Sequence, residues 1–171
     1  GHNGREETTT LTLIPMVTNQ VTIPVIAAGG IATGIAMHAA MILGAAGVQM
    51  GTRFAMTTES SAHQNFKEVC VNTQEGETAL TLKELAPVRL IRNKFYNDVQ
   101  EAYANCATKE DLITLLGRAR SKKGMFEGDL EEGELEIGQI VGLINEIKSV
   151  EEVMNEIISD FNASTQKVFN F

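Results

Sequence analysis

The sequence predicts an α/β fold that begins with a parallel β-α-β unit and continues as a mostly helical region. Two short runs, residues 23–28 and 47–52, each finish in a glycine turn, and a stretch rich in Ala and Met, residues 32–43, separates them. Buried parallel strands are short, mostly apolar and joined by helical crossovers. The chain has 171 residues, 43% of them apolar, which is long enough to bury a sizeable core.

Each element of the first third has its own signal in the sequence. Apolar residues at helical spacing predict a helix over residues 10–20, with Pro15 in its first turn, where a missing N–H costs little. Residues 23–28 are predicted to form a strand that is buried on both faces. Residues 32–43 are the crossover helix, which ends at Gly44, and residues 47–52 are the second strand.

The remainder of the chain is predicted to be helical and irregular. A helix is expected over residues 60–71, capped by Ser60 or Ser61. Helical periodicity extends over residues 80–106 with a break near Pro87. Two amphipathic helices follow, over residues 111–120 and 150–161.

Charge and composition exclude several classes of function. The net charge is −8, there is no Trp, and Lys and Arg form no long stripe, so a nucleic-acid partner is not expected. No apolar run reaches the roughly 18 residues of a membrane span, and we expect a cytoplasmic protein without a membrane partner. Cys70 and Cys106 lack metal-ligand spacing and are expected to be reduced thiols. The acid-rich stretch 127–136 is expected to be a solvated turn or cap, with a cation site as the alternative.

The two glycine turns are the main candidates for a binding site. Gly29 and Gly30 end the first predicted strand, and Gly51 and Thr52 end the second. Glycine lets backbone N–H groups approach a phosphate closely, and a following helix N-terminus favours negative charge. In (β/α)₈ barrels, phosphate sites are commonly built from the loops after the last two strands. The alternative is that these glycines only relieve crowding between strand and helix.

His2 is the candidate acid–base residue. It lies between Gly1 and Gly4, which suggests a tight loop able to present an imidazole to a ligand near neutral pH. The alternative is an ordinary surface histidine near a chain end. His38, inside the crossover helix, and His63, near a helix start, are expected to be structural.

These residues together resemble one enzyme family. The segments Gly1-His2-x-Gly4, residues 23–34, residues 43–45 and residues 48–54 occur in the order and spacing typical of FMN-dependent nitronate monooxygenases and enoyl-acyl-carrier-protein reductases II. The elements Val88-Arg89-x-Ile91-Arg92-Asn93 and residues 127–139 resemble the enoyl reductase branch, although the Gly-Gln element at 138–139 is shared more widely.

The resemblance implies a TIM-barrel flavoprotein of fatty-acid synthesis. In it NAD(P)H reduces FMN, and the reduced flavin passes hydride to a trans-2-enoyl thioester carried by acyl carrier protein. Gly29, Gly30, Gly51 and Thr52 match the positions that hold the FMN phosphate. His2 matches the active-site histidine, which would polarise the thioester carbonyl or supply a proton. In a nitronate oxidase the same imidazole would act on the nitronate.

The resemblance also assigns parts to the chain. Residues 1–56 would be the last βα units of the barrel with the FMN-phosphate turns, and residues 57–171 a helical C-terminal region that packs on the barrel. Family members have about six further βα units before this point, so we expect a partial form of the enzyme, inactive alone, with a homodimer as its assembly. A non-catalytic phosphate-binding or interaction fragment remains the alternative from a different class.

Overall fold

The first third of the chain forms one parallel β-α-β unit in the computed structural model, which describes residues 8–167. Strand β1 (Ile26–Ala28) pairs in parallel with β2 (Gly47–Gln49), with Ala27 opposite Val48. The elements in this part are α1 (Thr10–Thr18), β1, the crossover helix α2 (Gly34–Ile42), β2 and the short helix α3 (Thr52–Ala55). The predicted strand, crossover helix and strand are therefore confirmed.

Two details of this unit differ from the prediction. Strand β1 is not buried on both faces, because Ala27 is 4% exposed whereas Ile26 is 56% exposed. Among the described residues this sheet has two strands, and packing covers one of its faces. Pro15 lies inside α1 rather than in its first turn, since the helix begins at Thr10. Proline has no N–H, so the carbonyl of Leu11 loses its usual helical partner.

The region after residue 57 contains an antiparallel hairpin that the sequence analysis did not predict. Strand β3 (Thr78–Thr81) pairs with β4 (Val88–Ile91), with Thr81 opposite Val88. The helical prediction over residues 80–106 is wrong for this part, because Pro87 ends the loop before β4 instead of interrupting a helix. Val88 and Leu90 are buried and Arg89 between them is half-buried, which is the alternation of a strand, and Ile91 at the end of β4 is buried as well.

Helices account for most of the remaining C-terminal region. They are α4 (Gln64–Val71), α5 (Lys94–Ala104), α6 (Lys109–Leu116), a π-helical turn (Lys122–Phe126), a 3₁₀ turn (Gln139–Leu143) and α7 (Val150–Thr165). The predicted terminal helix is confirmed. The cap of α4 is neither Ser60 nor Ser61, because the Nδ1 atom of His63 accepts the N–H of Asn65 at 3.1 Å.

Three apolar clusters stabilise the described fold. The β-α-β unit packs around Ile14, Ala27 and Ala40. The second cluster joins the hairpin to α5 and α6, and the third joins α3 and α4 to the segment 135–144. Helix α7 packs on α2, where the rings of His38 and Phe161 meet edge to face with their centroids 5.3 Å apart. In the described part of the chain, no helix is long and apolar enough to cross a membrane.

Candidate functional site

A cavity of about 460 Å³ lies beside the carboxyl ends of β1 and β2. All four residues predicted to hold a phosphate line it, namely Gly29, Gly30, Gly51 and Thr52. Parallel strands bring their carboxyl ends to the same edge of a sheet, and ligands bind there in open α/β folds. The volume is in the range of about 300–1,000 Å³ that is typical of small-molecule sites.

The first turn has a backbone conformation that favours glycine. Gly29 and Gly30 have φ values of 93° and 73°, in the left-handed region. The carbonyl of Gly29 accepts a hydrogen bond from Thr10 Oγ1 at 2.8 Å, which fixes the turn against the start of α1. Among residues 8–167, neither backbone N–H of the pair donates a hydrogen bond. The turn therefore has two N–H donors that a ligand can use.

The second turn provides donors and open space. A Cβ atom built on Gly51 meets no atom within 4 Å, so only a larger side chain would fill the space in front of it. Helix α3 starts at Thr52, and the N–H groups of Gly51 and Thr52 have no acceptor within the described residues. Thr52 Oγ1 accepts the N–H of Gly138 at 3.1 Å, while its own hydroxyl hydrogen finds no acceptor among those residues. The hydroxyl can therefore also donate to a ligand.

The opposite wall comes from the C-terminal region and was not predicted as part of the site. It consists of Arg89, Met125, Glu136, Ile137, Gly138 and Ile140. Residues 135–137 pair with β4, since Ile137 N–H donates to Arg89 O at 3.1 Å. The signal for this wall in the sequence is the pair of motifs around Arg89 and Gly138, which by themselves indicate only a family branch.

The charges on this wall are of both signs. The Arg89 guanidinium donates to the carbonyl and the hydroxyl of Thr78, both at 3.2 Å, and burial lowers its pKa. Arginine remains charged at neutral pH despite such a shift. Glu136 accepts a hydrogen bond from Ser121. The lining of the cavity thus includes a guanidinium group and a carboxyl group.

The acid-rich stretch 127–136 is only in part the solvated turn that was expected. Asp129 accepts the N–H groups of Glu131 and Glu132, and Glu132 pairs with Lys94 at 2.6 Å. Glu134, in contrast, is 6% exposed, because its backbone packs against Gly124. No group of His, Cys, Asp or Glu suited to a metal ion occurs in the described residues.

The histidines take different positions. His2 lies outside the residues that the structure describes, so the structure does not test the role predicted for it. His38 Nδ1 is 2.9 Å from Ser164 Oγ, between α2 and α7, and His63 caps α4. Neither His38 nor His63 lines the cavity, which agrees with the structural roles expected for them.

Comparison with known proteins identifies relatives of the chain. A family model described as nitronate monooxygenase matches residues 1–160. A probable nitronate monooxygenase of Staphylococcus saprophyticus is 34% identical over an alignment of 157 residues that covers 85% of this chain and 44% of that protein. FabK from Thermotoga maritima superposes with a TM-score of 0.85 at 38% identity, covering 94% of this chain and 51% of that one.

A third similarity supports the same fold. A nitroalkane oxidase from Streptomyces ansochromogenes superposes with a TM-score of 0.73 at 26% identity, covering 91% of this chain and 44% of that one. These structural neighbours are TIM-barrel proteins, and the β-α-β unit is the part of a barrel that the described residues contain. The chain spans about half the length of the relatives that it matches.

Proposed function

The chain belongs to the nitronate monooxygenase family, whose members are flavin-dependent oxidoreductases, and on that premise we propose that its cavity holds FMN. Gly29, Gly30, Gly51 and Thr52 hold the phosphate. The observation that carries the proposal is that two glycine turns from adjacent strand ends line one cavity and leave their N–H groups without acceptors among the described residues.

The residues of the cavity fit a phosphate in three respects. Four backbone N–H groups and the Thr52 hydroxyl are free to donate within the described part of the chain. The space in front of Gly51 accommodates phosphate oxygens. Arg89, whose guanidinium also donates to Thr78, lines the same cavity. Charge-assisted hydrogen bonds of this kind are shorter and stronger than neutral ones.

The chemistry that flavin supplies when bound is hydride transfer, and the protein contributes position and electrostatics. We place this chain in the enoyl reductase branch: NAD(P)H is the reductant and a trans-2-enoyl thioester on acyl carrier protein is the substrate. The 38% identity to FabK over 94% of the chain favours this branch. His2 polarises the thioester carbonyl or supplies a proton, and a homodimer is the working assembly.

Nitronate oxidation is the second candidate. The name of the matching family and the 34% identity to the probable nitronate monooxygenase of Staphylococcus saprophyticus favour it. The same cavity would then hold the same flavin, and His2 would act on the nitronate. The two candidates differ in their substrates and electron acceptors. In the reductase, the enoyl thioester accepts the electrons of NAD(P)H, and in the alternative, oxygen accepts those of the nitronate. Two assays therefore separate them.

FMN titration of the chain tests the proposed site directly. Fluorescence of FMN is expected to be quenched on binding, and Gly51→Leu should abolish binding by filling the open space. Gly51 has a φ of −91°, so a side chain there is not strained. Gly51→Ala is the matched control and should bind more weakly than the native chain but more tightly than Gly51→Leu. Equal affinity in all three would contradict the proposed position of the phosphate.

Two turnover assays test the reaction. Oxidation of NAD(P)H that depends on crotonyl thioester supports the reductase, and oxygen uptake that depends on a nitronate supports the alternative. In the intact enzyme, His2→Ala should lower turnover and leave FMN affinity unchanged, and loss of FMN instead would contradict its role.

A further inference from the structure

One serine hydroxyl contacts two carboxyl groups at the wall of the cavity. Ser121 Oγ lies 2.5 Å from Glu136 Oε1 and 3.0 Å from Glu134 Oε2. Glu134 and Glu136 are two positions apart on the extended segment that pairs with β4, so their side chains lie on the same face of it. Ser121 immediately precedes the π-helical turn and reaches both carboxyl groups from there.

The number of hydrogens in this cluster is the basis of the inference. A serine hydroxyl has one hydrogen and can donate it to one acceptor. If both glutamates were ionised, the second contact would bring two oxygen lone pairs together without a hydrogen between them. One carboxyl group must therefore be protonated and donate its hydrogen to Ser121 Oγ.

The environment indicates which carboxyl group holds the proton. The 2.5 Å contact of Glu136 is typical of a hydroxyl donating to a charged carboxylate. Glu134 is 6% exposed, and three causes raise the pKa of its carboxyl group: burial, the charge of Glu136 and a side-chain hydrogen bond with Glu136. Burial disfavours the ionised form of a carboxyl group, as does a like charge nearby.

The described side-chain contacts of Arg120 do not include the Glu134 carboxyl group. Arg120 lowers the pKa of Glu134 at longer range, but its described hydrogen bonds go to the carbonyls of Leu115 and Leu116 and to Glu132. Its guanidinium also lies over the Phe95 ring, 4.8 Å from the centroid. The buried carboxyl group is therefore held by hydrogen bonding within the cluster.

We propose that Glu134 and Glu136 share a single acidic proton through the Ser121 hydroxyl, and that the three residues form a relay that delivers a proton to the cavity through Glu136. In the transfer the O–H bond of Glu134 breaks and its proton passes to Ser121 Oγ, while the original Ser121 hydroxyl proton passes to Glu136 Oε1. The net charge of the pair is −1 before and after this step. When Glu136 protonates a base in the cavity, two carboxylates remain, and solvent restores the proton.

This relay deepens the proposed function and rests on it for its use in turnover. A substrate that receives hydride in the cavity becomes an anion and needs a proton. Glu136 lines the same cavity as the two glycine turns, so it is the member of the cluster that can reach a bound group. Glu134 and Ser121 act through Glu136 and are positioning residues.

Infrared spectroscopy of the native chain, without flavin or substrate, tests the shared proton. A carbonyl-stretch band of a neutral carboxylic acid is expected at neutral pH and should disappear in Glu134→Gln. Glu131→Gln, at an exposed carboxylate of the same loop, is the control and should keep the band. Absence of the band in the native chain, or its persistence in Glu134→Gln, would overturn the proposal.

Carbon-13 NMR of labelled glutamates tests the relay without relying on a variant that has to fold. In the native chain, the titration of Glu134, whose pKa is raised, should also move the carboxyl signal of Glu136, because both groups contact the same hydroxyl. In Ser121→Ala the Glu136 signal should follow the Glu134 step to a smaller extent. A Glu134 titration that leaves the Glu136 signal unmoved in the native chain would overturn the relay. Since neither measurement uses FMN, a failure of the proposed flavin function leaves both outcomes unchanged.

Discussion

Thr52 Oγ1 accepts a hydrogen bond from the backbone N–H of Gly138 at 3.1 Å, although the two residues are 86 positions apart in the chain. This contact joins the second glycine turn to the C-terminal segment that forms the opposite wall of the cavity. Because the oxygen is used as an acceptor on that side, the hydroxyl hydrogen is directed elsewhere. A single side chain thus connects the two walls and keeps a hydroxyl hydrogen that could donate to the proposed FMN phosphate.

Replacing Thr52 by Val should weaken FMN binding. The variant removes the hydroxyl donor and leaves the Gly138 N–H without its acceptor. Hydrogen bonds to charged groups contribute about 1.5–3 kcal/mol, which corresponds to roughly a tenfold or larger rise in the FMN dissociation constant. Fluorescence titration measures this change. Thr52→Ser keeps the hydroxyl and should bind nearly as the native chain does, and equal weakening in both variants would argue against a hydroxyl contact.

The glycine side of the cavity could be predicted from the sequence, whereas the opposite side could not. Gly29, Gly30, Gly51 and Thr52 are recognisable because each follows a short strand within one local unit. Arg89 and the segment 136–140 reach the cavity only through the pairing of residues 135–137 with β4. Such pairing depends on tertiary structure, which no local pattern around Arg89 specifies.

The hairpin is a part of the fold that likewise could not be predicted from the sequence alone. Residues 80–91 have apolar side chains at spacings that fit a helix as well as a strand, and short apolar runs are ambiguous for that reason. The burial of Leu82, Val88 and Leu90 against α5 and α6 decides between them. In contrast, the residues around α2 have a long periodic stretch ended by Gly44, whose φ is 104°. That pattern predicts a helix without tertiary information.

Gly34 is the residue on which the contact between α2 and α7 depends. A Cβ built there lies 2.0 Å from Ile157 O and 2.3 Å from Phe161 N, both backbone atoms that cannot move without shifting α7. Gly34→Ala should lower the free energy of unfolding by about 1–3 kcal/mol or more, which is the usual cost of overpacking. Urea unfolding measures it. Gly142→Ala is the control, because its new Cβ would lie 3.5 Å or more from the nearest atoms. Equal stability of the two variants would contradict close α2–α7 packing.

The two cysteines should differ strongly in reactivity. Cys70 is fully buried, and burial raises the pKa of its thiol to about 12, so it is almost entirely protonated at neutral pH. Cys106 is exposed, and both thiols are free. Since the thiolate is the reactive form, a disulfide reagent should modify one thiol per native chain rapidly and the second only after unfolding. Cys106→Ser should remove the fast phase. Rapid modification of two thiols in the folded chain would show that Cys70 is accessible.

Acid should weaken the cap of α7 through Glu152. Ser149 and Glu152 form a reciprocal capping box, and the hydrogen bonds from the Ser149 hydroxyl and backbone N–H lower the pKa of Glu152. A carboxyl group with a lowered pKa in the folded state stabilises the fold above its unfolded pKa of about 4.3. That stabilisation is lost as the pH falls from there through the lower folded value.

Glu152→Gln keeps a side chain that can cap the helix but cannot ionise. Its free energy of unfolding should therefore fall less than that of the native chain between neutral and acidic pH, as measured by urea titration at each pH. Glu151→Gln, at the neighbouring exposed position, is the control and should retain the native pH dependence. Identical curves for Glu152→Gln and the native chain would mean that this carboxylate does not stabilise α7.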